Sequence, residues 1–392
     1  MARFPFPVGP VLFVTAIFYL NFAARVILAP LLPVVETELS IGHGTAGSLF
    51  FFIQIGYAAG LMASGLVALR LTYRRTIAVS SLFVGAALLV TSQAESLVGL
   101  RLGLLGIGTA AGLYLPAGIA TVTDLTEERH WGKALALHEI APNLGFITAP
   151  LVAEFALKLV SWRGALALLG VCSLLVGVAF GLWGRGGERR GEAPRPDILG
   201  RMLAGPSVWV AGLLFSVGIG GGMGIFTMLT LFMVSDLGLS RGWANALTSL
   251  SRTLAVPMLL VAGWLTDRLG PRRALAVGLS ITGAATLSLG MIRHPVGTPV
   301  LVLLQAATAV FFFPPGFALV SASLPLELRA LGISLATTMG SLLGGGAVPS
   351  AIGFAAEMHS FGLGFVLMGL LTLASPLLLR LETRNCSRNN VD

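Results

Sequence analysis

Two arginines stand inside apolar stretches long enough to cross a bilayer. Arg25 falls a little past the middle of the run 11–33, and Arg252 lies at a comparable depth in the run 243–266. An arginine near the bilayer centre costs about 2.5 to 3.5 kcal/mol on insertion scales, so it faces the protein interior or a water-filled cavity. Guanidinium stays protonated and presents a planar fork of donors to a carboxylate or phosphate. The chemistry on offer is therefore anion binding at mid-depth. Asn21 lies one turn before Arg25 on the stripe Phe18, Asn21, Phe22, Arg25, and Thr248 and Ser249 flank Arg252. The alternative is an internal ion pair with an acid such as Glu139 or Glu154. Arg101, four residues into its own run, reads as a structural residue within reach of the outer surface.

The fifth apolar run carries the acids that fall within spans. At 100° per residue Glu139, Asn143, Pro150 and Glu154 form one polar stripe, with His138 beside it. Such a face does not look at lipid. Glu139, His138 with its near-neutral imidazole, and Glu154 are candidate proton carriers. The competing reading is that these groups satisfy one another or the arginines. Gln54, Tyr57, Tyr114, Gln305 and Phe311–Phe313 either line a cavity or pack between helices. The glycine runs Gly220–Gly222 and Gly344–Gly346 lack the strand-turn-helix setting of a nucleotide loop. They read as sites of close helix packing and local bending.

Membrane-spanning helices must position these residues. The chain has 392 residues, 55% hydrophobic and 11% charged, with a mean hydropathy of +0.89. Soluble domains carry about 25% charge, so cytosolic enzymes, disordered scaffolds and nucleic-acid binders are excluded in practice. A bilayer core of about 30 Å takes about 20 apolar residues per helix. Twelve windows fit, near 11–33, 45–69, 76–93, 97–121, 134–158, 164–183, 207–232, 243–266, 274–292, 298–322, 331–356 and 361–381. The first is too long for a signal h-region and contains an arginine, so it is expected to be a retained span. Cys172 and Cys386 build no disulfide framework, no metal-ligand spacing is present, and no cofactor is expected.

The net charge of +8 is sorted by topology. With the N-terminus inside, the outer loops hold only Lys158, Arg163, Arg241 and Arg293. The inner side holds Arg70, Arg74, Arg75, Arg129, Lys133, the Arg185–Arg201 linker, Arg268, Arg272, Arg273 and Arg380, among others. The positive-inside rule then places both termini in the cytoplasm of a multi-pass inner-membrane protein. The expected organisation is a six-helix bundle over 1–183, a cytoplasmic linker over 184–205 and a second bundle over 206–392. The halves repeat: GLVALRLTYRR at Gly65–Arg75 answers GWLTDRLGPRR at Gly263–Arg273. Pro116, Arg129 and Gly132 likewise answer Pro315, Arg329 and Gly332.

GWLTDRLGPRR resembles the loop signature of the major facilitator superfamily, Gly-x-Leu-x-Asp-Arg-x-Gly-x-Arg-Arg, and the resemblance extends over the chain. In the N-terminal copy Leu69 and Thr72 replace the motif's Asp and second Gly, while Arg70, Arg74 and Arg75 remain. The resemblance implies an all-α membrane protein of twelve helices in two pseudo-symmetric bundles around a central cavity. It also implies a conformational latch. Asp267 would sit at a neighbouring helix N-terminus, Arg268, Arg272 and Arg273 would reach acidic loop residues, and Asp124 would serve Arg74. RLGLLGIGTAAGLYLP, Arg101 to Pro116, is similar to the superfamily's fourth helix. NFAARVILAPLLPVVETELSIG, Asn21 to Gly42, is similar to the first helix and loop of anion:cation symporters, without their Asp-Arg-x-Asn form. Monocarboxylate carriers also resemble the paired cations of helices one and eight. In GFITAPLVAE, Gly145 to Glu154, Ala149, Ala153 and Glu154 replace glycines of the drug/proton antiporter motif, which weighs against polyspecific efflux.

The expected function is that of a monomeric secondary active carrier taking up a small organic anion, of the carboxylate type, with a proton as co-substrate. Arg25, Arg252, Asn21, Tyr57, Tyr114 and Gln305 are the expected substrate-binding residues, and Glu139, His138 and Glu154 the expected proton-coupling ones. The alternative is a proton-coupled exporter of drugs or hydrophobic metabolites. A receptor or intramembrane enzyme is disfavoured, since the linker is short and no nucleophile-base pairing is evident. Partners are limited to substrate, proton and lipid, with no nucleic acid.

Overall fold

A computed structural model describes residues 7–191, 200, 202–203, 205–324 and 328–379. Arg380 and the linker residues 192–199, 201 and 204 lie outside them. Among the described residues twelve helices are long and apolar enough to cross a membrane: α1 Val8–Leu39, α2 His43–Arg70, α3 Tyr73–Ser92, α4 Leu97–Asp124, α5 Glu128–Leu157, α6 Trp162–Trp183, α7 Pro206–Ser235, α8 Arg241–Leu269, α9 Pro271–Met291, α10 Gly297–Ser323, α11 Leu331–Met358 and α12 Phe361–Leu378. Long apolar side chains such as Met62, Val90, Leu175 and Leu260 are exposed along them. On a multi-pass membrane protein that surface belongs to lipid.

Hydroxyl caps open several spans. Thr72, Ser96, Ser161, Ser240 and Ser360 accept from the backbone N–H groups of Arg75, Gly99, Gly164, Trp243 and Leu363 at the starts of α3, α4, α6, α8 and α12. Prolines interrupt others from within. Proline has no N–H, and its ring crowds the carbonyl four residues earlier. The α-helical path accordingly breaks after Val26 in α1, ahead of Pro30, and after Gly112 in α4, ahead of Pro116. It breaks again after His138 in α5, ahead of Pro142, and turns 3-10 over Val310–Phe312 in α10, ahead of Pro314. Arg25, Tyr114 and His138 each stand at one of these breaks.

The chain divides into two compact units. One comprises Met1–Leu39 and Phe52–Pro194, the other Ser40–Phe51 and Arg195–Asp392, so α2 runs from one unit into the other. Within the first, α3 packs along α6 and α1 along α5; within the second, α9 packs along α12 and α7 along α11. The pairing in one half thus repeats in the other, as the sequence repeat requires. The start of the linker is docked on the first unit. Tyr73 N–H donates to the Arg189 carbonyl, Arg74 N–H to that of Gly187 and Gly191 N–H to that of Ala68, each at 2.9 Å.

Candidate functional site

In the first unit the site is built on glycines. A Cβ at Gly108 or Gly112 of α4 would run into the Ile53 or Tyr57 carbonyl of α2, so the two helices approach backbone to backbone. That approach brings Gln54 and Tyr57 of α2 beside Arg25. Arg25 is buried; its Nη2 donates to Gln54 Oε1 at 3.3 Å, and its guanidinium carbon lies 3.5 Å from the Tyr57 ring centre and 5.6 Å from that of Phe22. Its Nε has no hydrogen-bond partner, and among the described residues no carboxylate pairs with it. A buried charge is costly unless paired. Here the partners are an amide oxygen at long range and two aromatic faces, whose contribution is about 0.5 to 2 kcal/mol each.

Asn21 fixes the α1 backbone one turn away. Its amide donates to the Ala111 carbonyl at 3.2 Å and to Ser80 Oγ at 3.4 Å, and Ser80 in turn donates to the Ala110 carbonyl at 2.7 Å. Asn21 therefore holds α1 to α3 and α4 as well as standing near Arg25. Arg101 lies over the Phe52 ring at 5.3 Å.

In the second unit the corresponding work is done by a π-helical segment, Gly220–Gly224, in α7. The wider turn redirects its carbonyls, a distortion found at functional sites. Arg252 Nη2 donates to the Gly222 carbonyl at 2.6 Å, and Gln305 Nε2 donates to the adjacent Gly221 carbonyl at 2.7 Å and to Thr286 Oγ1 at 3.3 Å. Arg252 also lies over the Phe226 ring at 4.9 Å. The segment converges two of the expected substrate-binding residues, Arg252 and Gln305, on neighbouring carbonyls. A second π-helical segment, Leu343–Ala347 in α11, packs against it, where a Cβ at Gly344 would lie 2.5 Å from Gly220 N. The glycine runs thus serve close packing and local bending.

Tyr114 stands elsewhere than beside Arg25. It is fully buried, with its hydroxyl 2.8 Å from the Val14 carbonyl and 2.9 Å from His138 Nε2. His138 Nδ1 lies 3.3 Å from Glu139 Oε1. The His138 side chain is wholly buried, and that of Glu139 is 54% exposed. Asn143 donates to the Glu139 carbonyl at 3.0 Å across the helix break, and Glu154 is partly buried farther along α5. The three-residue chain was not visible in the sequence, because α4 contributes its inner end.

Of the loop residues, Arg74 Nη1 pairs with Glu188 at 3.2 Å and its Nη2 donates to the Gly181 carbonyl at 3.1 Å, while Asp124 pairs with Arg189 at 3.3 Å. The docked linker stands where a direct Arg74–Asp124 pair was expected. In the other copy Arg268 lies over the Trp264 ring at 4.8 Å and Arg272 donates to the Leu379 carbonyl at 2.5 Å. Asp267 is exposed and, among the described residues, its carboxylate makes no hydrogen bond or ion pair.

Comparison with known proteins agrees with this architecture. A family model described as Major Facilitator Superfamily matches residues 11–349 and 254–391. A gallate transporter of Pseudomonas putida is 28% identical over 159 residues, which are 37% of this chain and 32% of that one, so the similarity spans about a third of the relative's length. A bacterial homologue of the human lysosomal transporter Spinster, in an inward-facing and occupied conformation, superimposes with a TM-score of 0.83 at 16% identity over 98% of both chains. A D-xylose-proton symporter gives 0.78 at 15% identity over 94% of this chain and 96% of that one. The chain is a multi-pass membrane transporter and belongs to the major facilitator superfamily.

Proposed function

We propose that the chain is a secondary active carrier that takes up a small organic anion of the carboxylate class together with a proton, by alternating access. The observation that carries the reading is Arg25, a buried guanidinium whose contacts among the described residues are all neutral. A carboxylate would replace the 3.3 Å bond to Gln54 with charge-assisted bonds and compensate the buried charge. Arg252, anchored on the Gly222 carbonyl, is a second buried guanidinium, within its own unit. Asn21 and Gln305 hold the helices that present the two arginines, and Tyr57 contributes its ring face to Arg25. The gallate transporter lends support, since gallate is an aromatic carboxylate and Arg25 is flanked by aromatic rings. The sorting of Lys and Arg supports an inner-membrane placement with both termini and the linker cytoplasmic. The Asp267 and Arg74 loops set the balance of states by making and breaking ionic contacts.

The test is a thermal-shift screen of carboxylates, sugar acids, phosphates and common drugs against the purified protein. Stabilisation by carboxylates that disappears in Arg25→Ala is expected. Stabilisation by cationic or neutral hydrophobic drugs alone would assign the protein to efflux instead.

A further inference from the structure

We propose that Tyr114, His138 and Glu139 form the binding site of the coupling proton, with the Tyr114 hydroxyl reversing its donor direction when the proton arrives. The proposal rests on the proton-coupled reading above and gives it a location and a device. It follows from counting hydrogens. The chain has three links: Val14 carbonyl to Tyr114 hydroxyl at 2.8 Å, Tyr114 hydroxyl to His138 Nε2 at 2.9 Å, and His138 Nδ1 to Glu139 Oε1 at 3.3 Å. A carbonyl accepts only, a hydroxyl carries one proton, a neutral imidazole one, and a carboxylate none. Neutral histidine therefore leaves two protons for three links.

In the unloaded state Tyr114 donates to His138 Nε2, His138 Nδ1–H donates to Glu139, and the Val14 carbonyl goes without the tyrosine. In the loaded state the imidazole is doubly protonated: Nδ1–H still donates to Glu139, and the added proton stands on Nε2. His138 Nε2–H then donates to the Tyr114 oxygen, and the Tyr114 O–H turns to the Val14 carbonyl. All three links are made only with the added proton. Loading forms a bond between α4 and α1, the helix that carries Arg25, so proton occupancy is felt by the substrate helix.

The surroundings suit the task. The half-exposed Glu139 is the entrance and the buried His138 the resting place. Phe18 of α1 stacks on both rings, 4.5 Å from His138 and 5.2 Å from Tyr114, and fixes their planes against each other. The break forced by Pro142 ends the α-helical turn at His138. The titratable groups facing His138 are Tyr114 from α4 and Glu139 from its own helix; α1 offers the Val14 carbonyl and Phe18, α6 contributes Phe180 to the same cluster, and among the described residues no lysine or arginine contacts it.

Two measurements on the full-length protein test this. The first is pH-difference infrared spectroscopy without substrate, comparing wild type with Tyr114→Phe and His138→Gln. Imidazole and tyrosine bands that titrate together, the imidazole band vanishing in His138→Gln, are expected. Tyr114→Phe removes one hydrogen bond from the unloaded state and two from the loaded one, a net loss of one on loading, and should weaken proton binding by roughly threefold to tenfold. The absence of any imidazole band removed by His138→Gln would overturn the proposal. The second uses proteoliposomes with radiolabelled gallate as probe. His138→Gln, its folding checked by melting temperature and size-exclusion profile, should lose accumulation driven by a pH gradient. Full pH-driven accumulation in His138→Gln would overturn the proposal as well. A titrating His138 in a protein that accumulates no carboxylate would uphold the proton site and instead refute the substrate reading.

Discussion

The guanidinium carbon of Arg25 lies 3.5 Å from the centre of the Tyr57 ring, and that contact exists because Gly108 and Gly112 let α4 press against the α2 backbone. A cation is thereby held in the membrane interior by an aromatic face and an amide. It is positioned, yet its charge remains available to an incoming anion.

Arg25→Ala and Arg252→Ala should each weaken carboxylate binding by roughly tenfold to a hundredfold, the range spanned by a hydrogen bond to a charged group. Arg→Lys should rescue poorly, since lysine lacks the planar fork. Titration of the purified proteins with gallate measures this. Wild-type affinity in both alanine variants would reassign the arginines to structural roles.

The packed π-helical segments give a matched pair of stability tests. Gly344→Ala places a Cβ 2.5 Å from Gly220 N and should lower stability by about 1 to 3 kcal/mol, as overpacking does. Gly222→Ala meets nothing within 4 Å and should unfold at or above the wild-type temperature. Equal melting temperatures for the two variants would contradict the packing described.

Glu139→Gln should retain gallate binding and exchange yet lose accumulation driven by a pH gradient. The amide keeps the shape of the side chain but removes the carboxylate facing His138 Nδ1 at 3.3 Å. Undiminished pH-driven accumulation would take Glu139 out of the mechanism and turn attention to Glu154.

The twelve spans were legible because apolar length and charged breaks are properties of consecutive residues. The window 274–292 became α9 Pro271–Met291, and 243–266 became α8 Arg241–Leu269. The first window, 11–33, fell short of α1 Val8–Leu39, since Glu36 and Glu38 end an apolar count without ending a helix. The interior breaks could have been read from Pro30, Pro116, Pro142 and Pro314 by the lost carbonyl partner. What stayed hidden is pairing between distant residues. Tyr114 looked like any aromatic of α4 until Pro116 and Pro142 turned it and His138 toward one another. Arg74 was matched to Asp124 because both lie at loop ends, whereas Glu188 and Arg189 of the docked linker take those positions. The two carbonyls that Arg252 and Gln305 grip depend on a π-helical turn, which a run of glycines permits but does not announce.

The most direct measurement of the central claim is uptake of radiolabelled gallate into proteoliposomes under an inward proton gradient, with Arg25→Ala reconstituted in parallel. Accumulation in the wild type that collapses with a protonophore and is missing in a folded Arg25→Ala is the predicted result. No gradient-driven accumulation of gallate or any other small carboxylate, with expulsion of hydrophobic or cationic compounds in its place, would contradict the account.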